Sequence, residues 1–273
     1  MAIITLTTDF GIKDHFIGAM KGAILSELPD ANIVDISHNI SPFNITETAY
    51  VLKNAYKYFP KGAIHIVDVD SELSPENEHI AVLLDGHYFV CTDNGVVSMI
   101  SATIKPEKMV RISIHHTLTS HSAFVKVACH IARGGKLEVV GNKTDTLKQL
   151  NEVYPHINPE GNQIVGTIIY IDNYGNVITN ITKSVFNNVG KGRDFQINFR
   201  NQSIDKIFEK YNQVVNFDLP KEKRHDEGKK LALFNEAGYL EIAIYKSDVQ
   251  TVGGASTLFG LAYRDTITVN FTA

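Results

Sequence analysis

Acidic and amide side chains recur where apolar segments of this 273-residue chain give way to polar loops. Such side chains can act as general bases, bind a cation or cap a turn. Each residue taken singly fits turn capping, but their clustering at the ends of predicted strands suggests that they face one crevice. The residues are Asp9 in TTDFG, Asp68 and Asp70 in IHIVDVD, Asp93 in TDNG, and Asp172 with Asn176 in DNYGN.

Histidine and aromatic side chains add further candidates. His38 follows IVDIS and a His-His pair at 115–116 follows RISI. A metal site needs three or four converging ligands, and no HExxH-type motif is present, so we predict no metal. His65 lies within an apolar segment and is expected to be packed. Phe43 precedes a predicted helix, where the spacing favours a hydrophobic staple over stacking on a planar ligand ring. No nucleophile elbow, P-loop or dinucleotide-binding glycine pattern is present, so these residues alone define no reaction.

The first half of the chain alternates predicted strands and helices. AIITLTT, ANIVDIS and AIHIVDV are typical of strands, and HIAVLLDGHYFVCT predicts a hairpin that turns at Asp85-Gly86. The segments 14–28, 44–60 and 122–135 have helical patterns, the second with Asn44 and Glu47 at capping-box spacing. This alternation predicts an α/β domain with a mainly parallel sheet and flanking helices. In such sheets the functional crevice lies outside the carboxyl ends of the strands.

The pattern changes near residue 150. NEVYPHINPEGNQ is polar, contains two prolines and a glycine, and is typical of a linker. Short strand-like segments follow at regular spacing, among them IVGTIIYID, GNVITNI and YLEIAIY, which indicates a sandwich or barrel. We therefore predict an α/β domain at 1–153, a linker at 154–163, and a smaller all-β domain at 164–273.

Composition narrows the functional class. The net charge of −4 and the absence of clustered basic residues argue against nucleic-acid binding. No segment is long and apolar enough to span a membrane, and the start of the chain has strand rather than signal-peptide character. Cys91 and Cys129, the two cysteines, lie in apolar stretches and are expected to be buried free thiols. The expected location is the cytoplasm.

Several segments together resemble a known family. They are LTTDFGIKDHFIGAMKGAI, ANIVDISHNISPFNITETA, FPKGAIHIVDVD, DGHYFVCTDNGVVS, YIDNYGNVITNI and LFNEAGYLEIAI. In this order they are similar to the S-adenosyl-L-methionine (SAM) hydroxide adenosyltransferases, relatives of the bacterial fluorinase and chlorinase. The resemblance spans almost the whole chain. It implies a homotrimer with sites between subunits, SAM as substrate rather than cofactor, and attack of water on the ribose 5′ carbon to give adenosine and L-methionine.

The resemblance implies site residues position by position. The family's catalytic Asp corresponds to Asp70, whereas its Arg and His fall on Asn77 and Thr119. His121, two residues further on, is the expected substitute for the missing His. Asp68 is expected to be a neighbouring acid at the end of the strand. The positions that the resemblance assigns to SAM binding are Asp9 for the ribose, Phe43 for the ring, Asp172 and Asn176, Asn235, and Glu236, which replaces a small hydroxyl residue.

Two main hypotheses follow from the sequence. The first is a SAM hydrolase in which Asp70 orients the attacking water with help from His121. The second is a protein that binds SAM or adenosine with little or no turnover, because the family Arg and His are replaced. Halide transfer is disfavoured because Asp70 would repel an anionic nucleophile. A metal-dependent hydrolase built on Asp9, Asp68 and Asp70 lacks suitable ligand spacing.

Overall fold

Residues 2–101, 104–114, 120–150, 154–224 and 228–272 are described by a computed structural model. The chain divides into two units, Met1–Glu152 and Val153–Ala273. Each unit is built around its own sheet and its own hydrophobic core.

The N-terminal unit contains a seven-stranded sheet with the strand order β2-β1-β3-β5-β4-β6-β7. Its elements are β1 (Ile3–Thr8), α1 (Phe16–Glu27), β2 (Asn32–Ser37), α2 (Ile45–Ala55), β3 (Ile64–Asp68), β4 (His79–Leu84), β5 (His87–Thr92), α3 (Val96–Ile100), β6 (Lys108–Ile112), α4 (Ser120–Ala132) and β7 (Gly141–Lys143).

This sheet is mixed rather than mainly parallel. Strand β1 pairs in parallel with β2 and β3, and β3 pairs in parallel with β5. Strands β4, β6 and β7 run antiparallel to their neighbours. The cause is the predicted hairpin at Asp85-Gly86, whose two residues both have positive φ, as a two-residue β-hairpin turn requires.

Helices cover both faces of this sheet, as the alternating pattern predicts. On one face, Met20 and Ile24 of α1 and Phe124 of α4 pack against Ile4 and Ile66. On the other face, residues of α2 and α3 pack against Val67, Val82 and Phe89. The central strands β1, β3, β4 and β5 are therefore buried on both sides, whereas β2 and β7 at the two edges are more exposed.

A buried polar chain crosses three strands of the sheet. The Nδ1 atom of His65 lies 2.7 Å from the Thr5 hydroxyl, and its Nε2 atom lies 3.3 Å from Nδ1 of His87. Both histidines are fully buried, and the His65 ring stacks on Phe89 with 4.9 Å between the centroids. Burial, reinforced by the charge of His87, lowers the pKa of His65 to about 3. His65 is thus a packed core residue, as predicted.

The C-terminal unit contains nine strands in one sheet. Eight follow the order β12-β11-β16-β9-β10-β15-β14-β13, and β8 pairs with β9. Its elements are β8 (His156–Ile157), β9 (Gln163–Ile171), β10 (Val177–Thr182), α5 (Lys183–Gly190), β11 (Phe195–Phe199), β12 (Gln202–Ile204), β13 (Ile207–Phe208), β14 (Lys230–Phe234), β15 (Tyr239–Ile244), α6 (Ala255–Leu258) and β16 (Thr266–Phe271).

Two features of this unit differ from the sequence-based expectation. It is not purely β, because α5 begins at the Thr182 cap, whose hydroxyl accepts a hydrogen bond from the Val185 N–H. The predicted linker 154–163 contains β8, which forms a hairpin with the start of β9. The turn residues in that segment connect these two paired strands.

The two cysteines, Cys91 and Cys129, are buried free thiols, as predicted. Within the part of the chain that the structure describes, no helix has both the length and the apolar character needed to cross a bilayer.

Candidate functional site

The parallel strands of the N-terminal sheet bring candidate residues to one edge. Strands β1, β2, β3 and β5 all run in the same direction, so their carboxyl ends meet there. Asp9 follows β1, His38 follows β2, and Asp93 follows β5. Asp68 is the last residue of β3 and lies opposite Thr8 in the register. This edge is the crevice position expected for such a sheet.

Asp68 and His121 form a hydrogen-bonded pair at this edge. Asp68 is fully buried, and its Oδ2 atom accepts a hydrogen bond from Nδ1 of His121 in the first turn of α4. The His121 side chain keeps 40% of its surface exposed. The Asp68 hydrogen bond raises the pKa of His121, against an opposing effect of burial, and the charges of Asp68 and Asp9 raise it further.

Asp9 connects this pair to the loop before α2. Its Oδ2 atom accepts a hydrogen bond from the Phe43 N–H at 2.9 Å. Burial raises the pKa of Asp9, the Phe43 bond opposes that effect, and the nearby charges of Asp68 and Asp70 raise the pKa further. Asp9, Asp68, Asp70 and His121 therefore interact electrostatically as one group, which we call the edge cluster.

Phe43 presents its ring to solvent instead of acting as a hydrophobic staple. It is 71% exposed and has a φ of 62°, in the left-handed region that phenylalanine rarely occupies. The next residue, Asn44, caps α2 as predicted, because its Oδ1 atom accepts a hydrogen bond from the Glu47 N–H at 3.1 Å. The cap and the Asp9 bond hold the backbone of Phe43 next to Asp9 of the edge cluster.

Asp70 lies two residues beyond the end of β3, also with a left-handed backbone (φ 47°). The Asn94 side-chain amide donates to the carbonyl oxygens of Val69 and Asp70, at 3.0 and 3.4 Å. These bonds fix the backbone that carries Asp70. Asp70 is half-buried.

A lysine stands beside the position where the resemblance expects an arginine. Nζ of Lys148 donates to Oδ1 of Asn77 at 3.0 Å and to the Glu76 carbonyl oxygen at 3.3 Å. The Lys148 N–H also donates to Asp93 Oδ1, which ties this segment to the end of β5. A positive charge is thus present next to Asn77, although it comes from another part of the chain.

The C-terminal unit holds a second group of predicted residues in the loop between β9 and β10. Asp172 Oδ1 accepts hydrogen bonds from the N–H groups of Tyr174 and Asn176, and its Oδ2 accepts one from Nδ2 of Asn176, all at 2.9 Å. Asn176 is buried, and its Oδ1 atom has no hydrogen-bond partner among the described residues. An unpartnered buried amide oxygen is an available acceptor for a ligand.

This loop borders a cavity of about 360 Å³. Its lining residues are Asp172, Tyr174, Asn176, Tyr211, Ile244, Tyr245, Lys246 and Ser247. One lining residue, Tyr211, contacts Glu241, a residue that the sequence analysis did not single out. Glu241 is buried and accepts a hydrogen bond from the Tyr211 hydroxyl at 2.6 Å. Its signal was an acid inside the otherwise apolar strand YLEIAIY.

Glu241 connects Asn235 to the cavity. Burial raises the pKa of Glu241, hydrogen bonds from Tyr211 and Asn235 oppose this effect, and the charge of Asp172 adds to it. Asn235 Oδ1 also accepts a hydrogen bond from the Tyr239 N–H at 3.1 Å, within the turn between β14 and β15. Glu236 lies exposed in the same turn.

The structure thus brings Asp9, Phe43, Asp70 and His121 to one edge of the N-terminal sheet, and Asp172, Asn176 and Asn235 to one region of the C-terminal unit. Thr119 and the histidines at 115–116 lie outside the described residues. Across the described ranges, no three His, Cys, Asp or Glu side chains are arranged to hold a metal ion.

Comparison with known families matches both units. Residues 4–141 match the SAM hydroxide adenosyltransferase N-terminal domain, and residues 166–268 match the C-terminal domain of the same family. Together the two matches cover most of the chain.

Individual relatives align over nearly the full length. A protein from Methanocaldococcus jannaschii named (R)-S-adenosyl-L-methionine hydrolase is 29% identical over 279 residues, which cover 98% of this chain and 95% of the relative. A protein from Nocardia brasiliensis named fluorinase is 22% identical, with coverage of 88% and 89%. A crystal structure of a conserved protein from Thermotoga maritima superposes with a TM-score of 0.81 at 26% identity, covering 98% of this chain and 99% of that one.

Proposed function

The chain belongs to the SAM hydroxide adenosyltransferase family, and we propose that it hydrolyses SAM to adenosine and L-methionine. The observation that carries the proposal is the edge cluster, a group of carboxylates and one imidazole at the ligand-binding edge of a sheet that matches this family. The hydrolase name of the Methanocaldococcus jannaschii relative supports the same reaction.

The reaction makes limited chemical demands on the protein. The sulfonium of SAM releases a good leaving group, the neutral thioether of methionine, so the positive charge on sulfur disappears as the C5′–S bond breaks. The protein must hold a water molecule in line with that bond and keep other water away. Asp70 orients the attacking water, and the imidazole of His121 assists.

Substrate binding divides between the two groups of residues. Asp9 keeps Oδ1 for the ribose hydroxyls, because its Oδ2 is occupied by the Phe43 N–H. The exposed Phe43 ring offers a face on which adenine can stack. The base or the amino-acid end of SAM is proposed to contact Asp172, Asn176, Asn235 and Glu236. The Oδ1 atom of Asn176, which has no hydrogen-bond partner among the described residues, supports this role for Asn176.

The assembly is proposed to be a homotrimer in the cytoplasm, with SAM bound between subunits. The family resemblance supports the trimer. The two buried free thiols support a reducing compartment. Sedimentation of the purified protein should give three times the chain mass, and a monomer at micromolar concentration would contradict this arrangement.

The direct test of the reaction uses purified protein, SAM and H₂¹⁸O, with adenosine and methionine measured by chromatography and mass spectrometry. We expect ¹⁸O in the 5′ hydroxyl of adenosine, and activity that persists in EDTA. Asp70→Asn should lower kcat by about 10²-fold or more. Asp85→Asn, in the hairpin turn at the surface, serves as the matched control and should keep wild-type activity.

A second candidate function is binding without turnover, and the observation that favours it is the presence of Asn77 and Thr119 at the family's Arg and His positions. In that case calorimetry would detect binding of SAM or adenosine, while adenosine formation would not exceed that of Asp70→Ala. This outcome would refute the hydrolase proposal.

A further inference from the structure

Asp68 has features that turn capping does not explain. It ends a fully buried strand, none of its surface is exposed, and it directs one oxygen at His121. Its other oxygen, Oδ1, has no hydrogen-bond partner among the described residues. Burying a carboxylate with half of its acceptors unused is costly, so this residue requires a separate explanation.

The partner of Asp68 is held in a defined orientation. The His121 ring packs edge-on against Phe10, with 5.0 Å between centroids and 85° between planes. Together with the Asp68 bond to Nδ1, this contact restricts rotation of the imidazole. When Nδ1 carries a proton that it donates to a carboxylate, Nε2 on the opposite side of the neutral ring has a free lone pair. Among the described residues, none bonds to Nε2.

We propose that Asp68 is a positioning residue, which holds His121 in the Nδ1–H tautomer so that Nε2 accepts the proton of the attacking water. This inference rests on the proposed function. The inference adds a residue outside the family's motif to the proposed function, because the acid of that motif corresponds to Asp70 and not to Asp68.

The proposed step balances in atoms and charge. The water oxygen forms a bond to C5′, the C5′–S bond breaks, and its electron pair remains on sulfur, which becomes the neutral thioether of methionine. One water proton moves to His121 Nε2, and the other remains on the new 5′ hydroxyl. The resulting imidazolium is stabilised by Asp68 and later returns its proton to solvent.

The surroundings of His121 suit this role. The charged groups that act on it are Asp68 at the end of β3 and Asp9 after β1, both acidic, and Phe10 covers part of its ring. Both acids favour the protonated form, so the pKa of His121 lies above its usual value. An imidazole of this kind is a much stronger base at neutral pH than an ordinary carboxylate.

The first experiment compares pH–rate profiles of the full-length wild type and of Asp68→Asn. For the wild type, kcat should rise with pH through one inflection above 6.5. Asp68→Asn should lower the plateau by about 10²- to 10⁴-fold and move the inflection to lower pH, because it removes the charge and permits the wrong tautomer. Affinity for SAM, measured by calorimetry, should change much less than kcat.

Two further variants separate positioning from loss of structure. Asp35→Asn is the matched control, since Asp35 lies 3.0 Å from Nε2 of another histidine, His38, at the end of β2. It should keep kcat within about twofold. His121→Gln should cost as much as Asp68→Asn, and the double variant little more, because residues that act as a unit are not additive.

The second experiment needs no variant. Nitrogen-15 NMR of histidine-labelled wild type, at a pH above the His121 inflection, should show a protonated Nδ1 and an unprotonated Nε2. The opposite tautomer would overturn the inference, as would an Asp68→Asn variant with an unchanged inflection and plateau. If the wild type forms no adenosine, the proposed function fails. An Nδ1–H tautomer in that inactive protein would still show that Asp68 positions His121, so the two failures can be distinguished.

Discussion

His65 makes the stability of the N-terminal unit depend on pH. It is fully buried in β3, with a pKa of about 3, whereas an unfolded histidine has its pKa near 6.5. Below pH 6.5 the unfolded chain therefore binds a proton that the folded chain does not, and stability falls as the pH falls towards 3. Each pH unit costs about 1.4 kcal/mol, so lowering the pH from 7 to 4.5 should remove about 2.5 kcal/mol through His65 alone.

The perturbation that isolates this effect is the double variant Thr5→Val and His65→Phe. The double variant removes the Thr5 hydroxyl and the His65 imidazole together, so that neither of these two polar groups is buried without its partner. The ring of the introduced phenylalanine can stack on Phe89. The free energy of opening is measured by hydrogen-exchange mass spectrometry in urea, on peptides that cover β3 and β5. The loss between pH 7 and 4.5 should be about 2.5 kcal/mol smaller in the variant than in the wild type, because the contribution of His65 is absent.

A matched control is His156→Gln, which removes an exposed histidine from the C-terminal unit and should leave the exchange of β3 and β5 unchanged. Burial also lowers the pKa of His87, so part of the acid sensitivity should persist in the double variant. Equal losses in the variant and the wild type would refute the reasoning, because His65 would then be protonated in the folded state without a penalty.

Three further predictions concern loops near the candidate residues. Asn44→Ala removes the α2 cap and should lower the free energy of unfolding by about 1 kcal/mol, as measured by urea titration, with Asn54→Ala within that helix as the comparison. Phe43→Gly should relieve a left-handed backbone and stabilise the unit by up to about 1 kcal/mol, while weakening adenosine binding in calorimetry; stronger binding would contradict the platform role. Gly175→Ala should destabilise the β9–β10 loop by about 2 kcal/mol or more in thermal unfolding, because φ is +75° and the new methyl would lie 2.7 Å from Val249; an unchanged melting temperature would be inconsistent with this loop.

Local patterns predicted much of the fold. The hairpin at Asp85-Gly86 and the α2 cap at Asn44 depend on neighbouring residues, and both are present. The helix pattern on both sides of the first sheet is also present. What local patterns missed is the short strand β8, because the prolines and glycine of that segment indicate a turn whether or not flanking strands pair across it.

The candidate site was less accessible from the sequence. Spacing placed Asp68 and Asp70 at the end of one strand but could not show which of them meets His121, because that contact joins residues 53 positions apart. It favoured a staple for Phe43, since nothing local reveals that the Asp9 carboxylate binds the Phe43 N–H. Glu241 was missed because its partner Tyr211 lies on a different segment.

The parallel strand ends of the first sheet also bear on how such a site can change during evolution. Asp68 is the last residue of β3, and Asp70, to which the family resemblance assigns the acid, lies two residues beyond it with a left-handed backbone. The end of one strand and the loop that follows it thus offer two positions for an acid, while β3 itself is held by its pairing with β1 and β5. Relatives could then keep the reaction by keeping an acid at this edge of the sheet, even if its position in the sequence changes. A chain in which one motif residue is replaced need not have lost the activity.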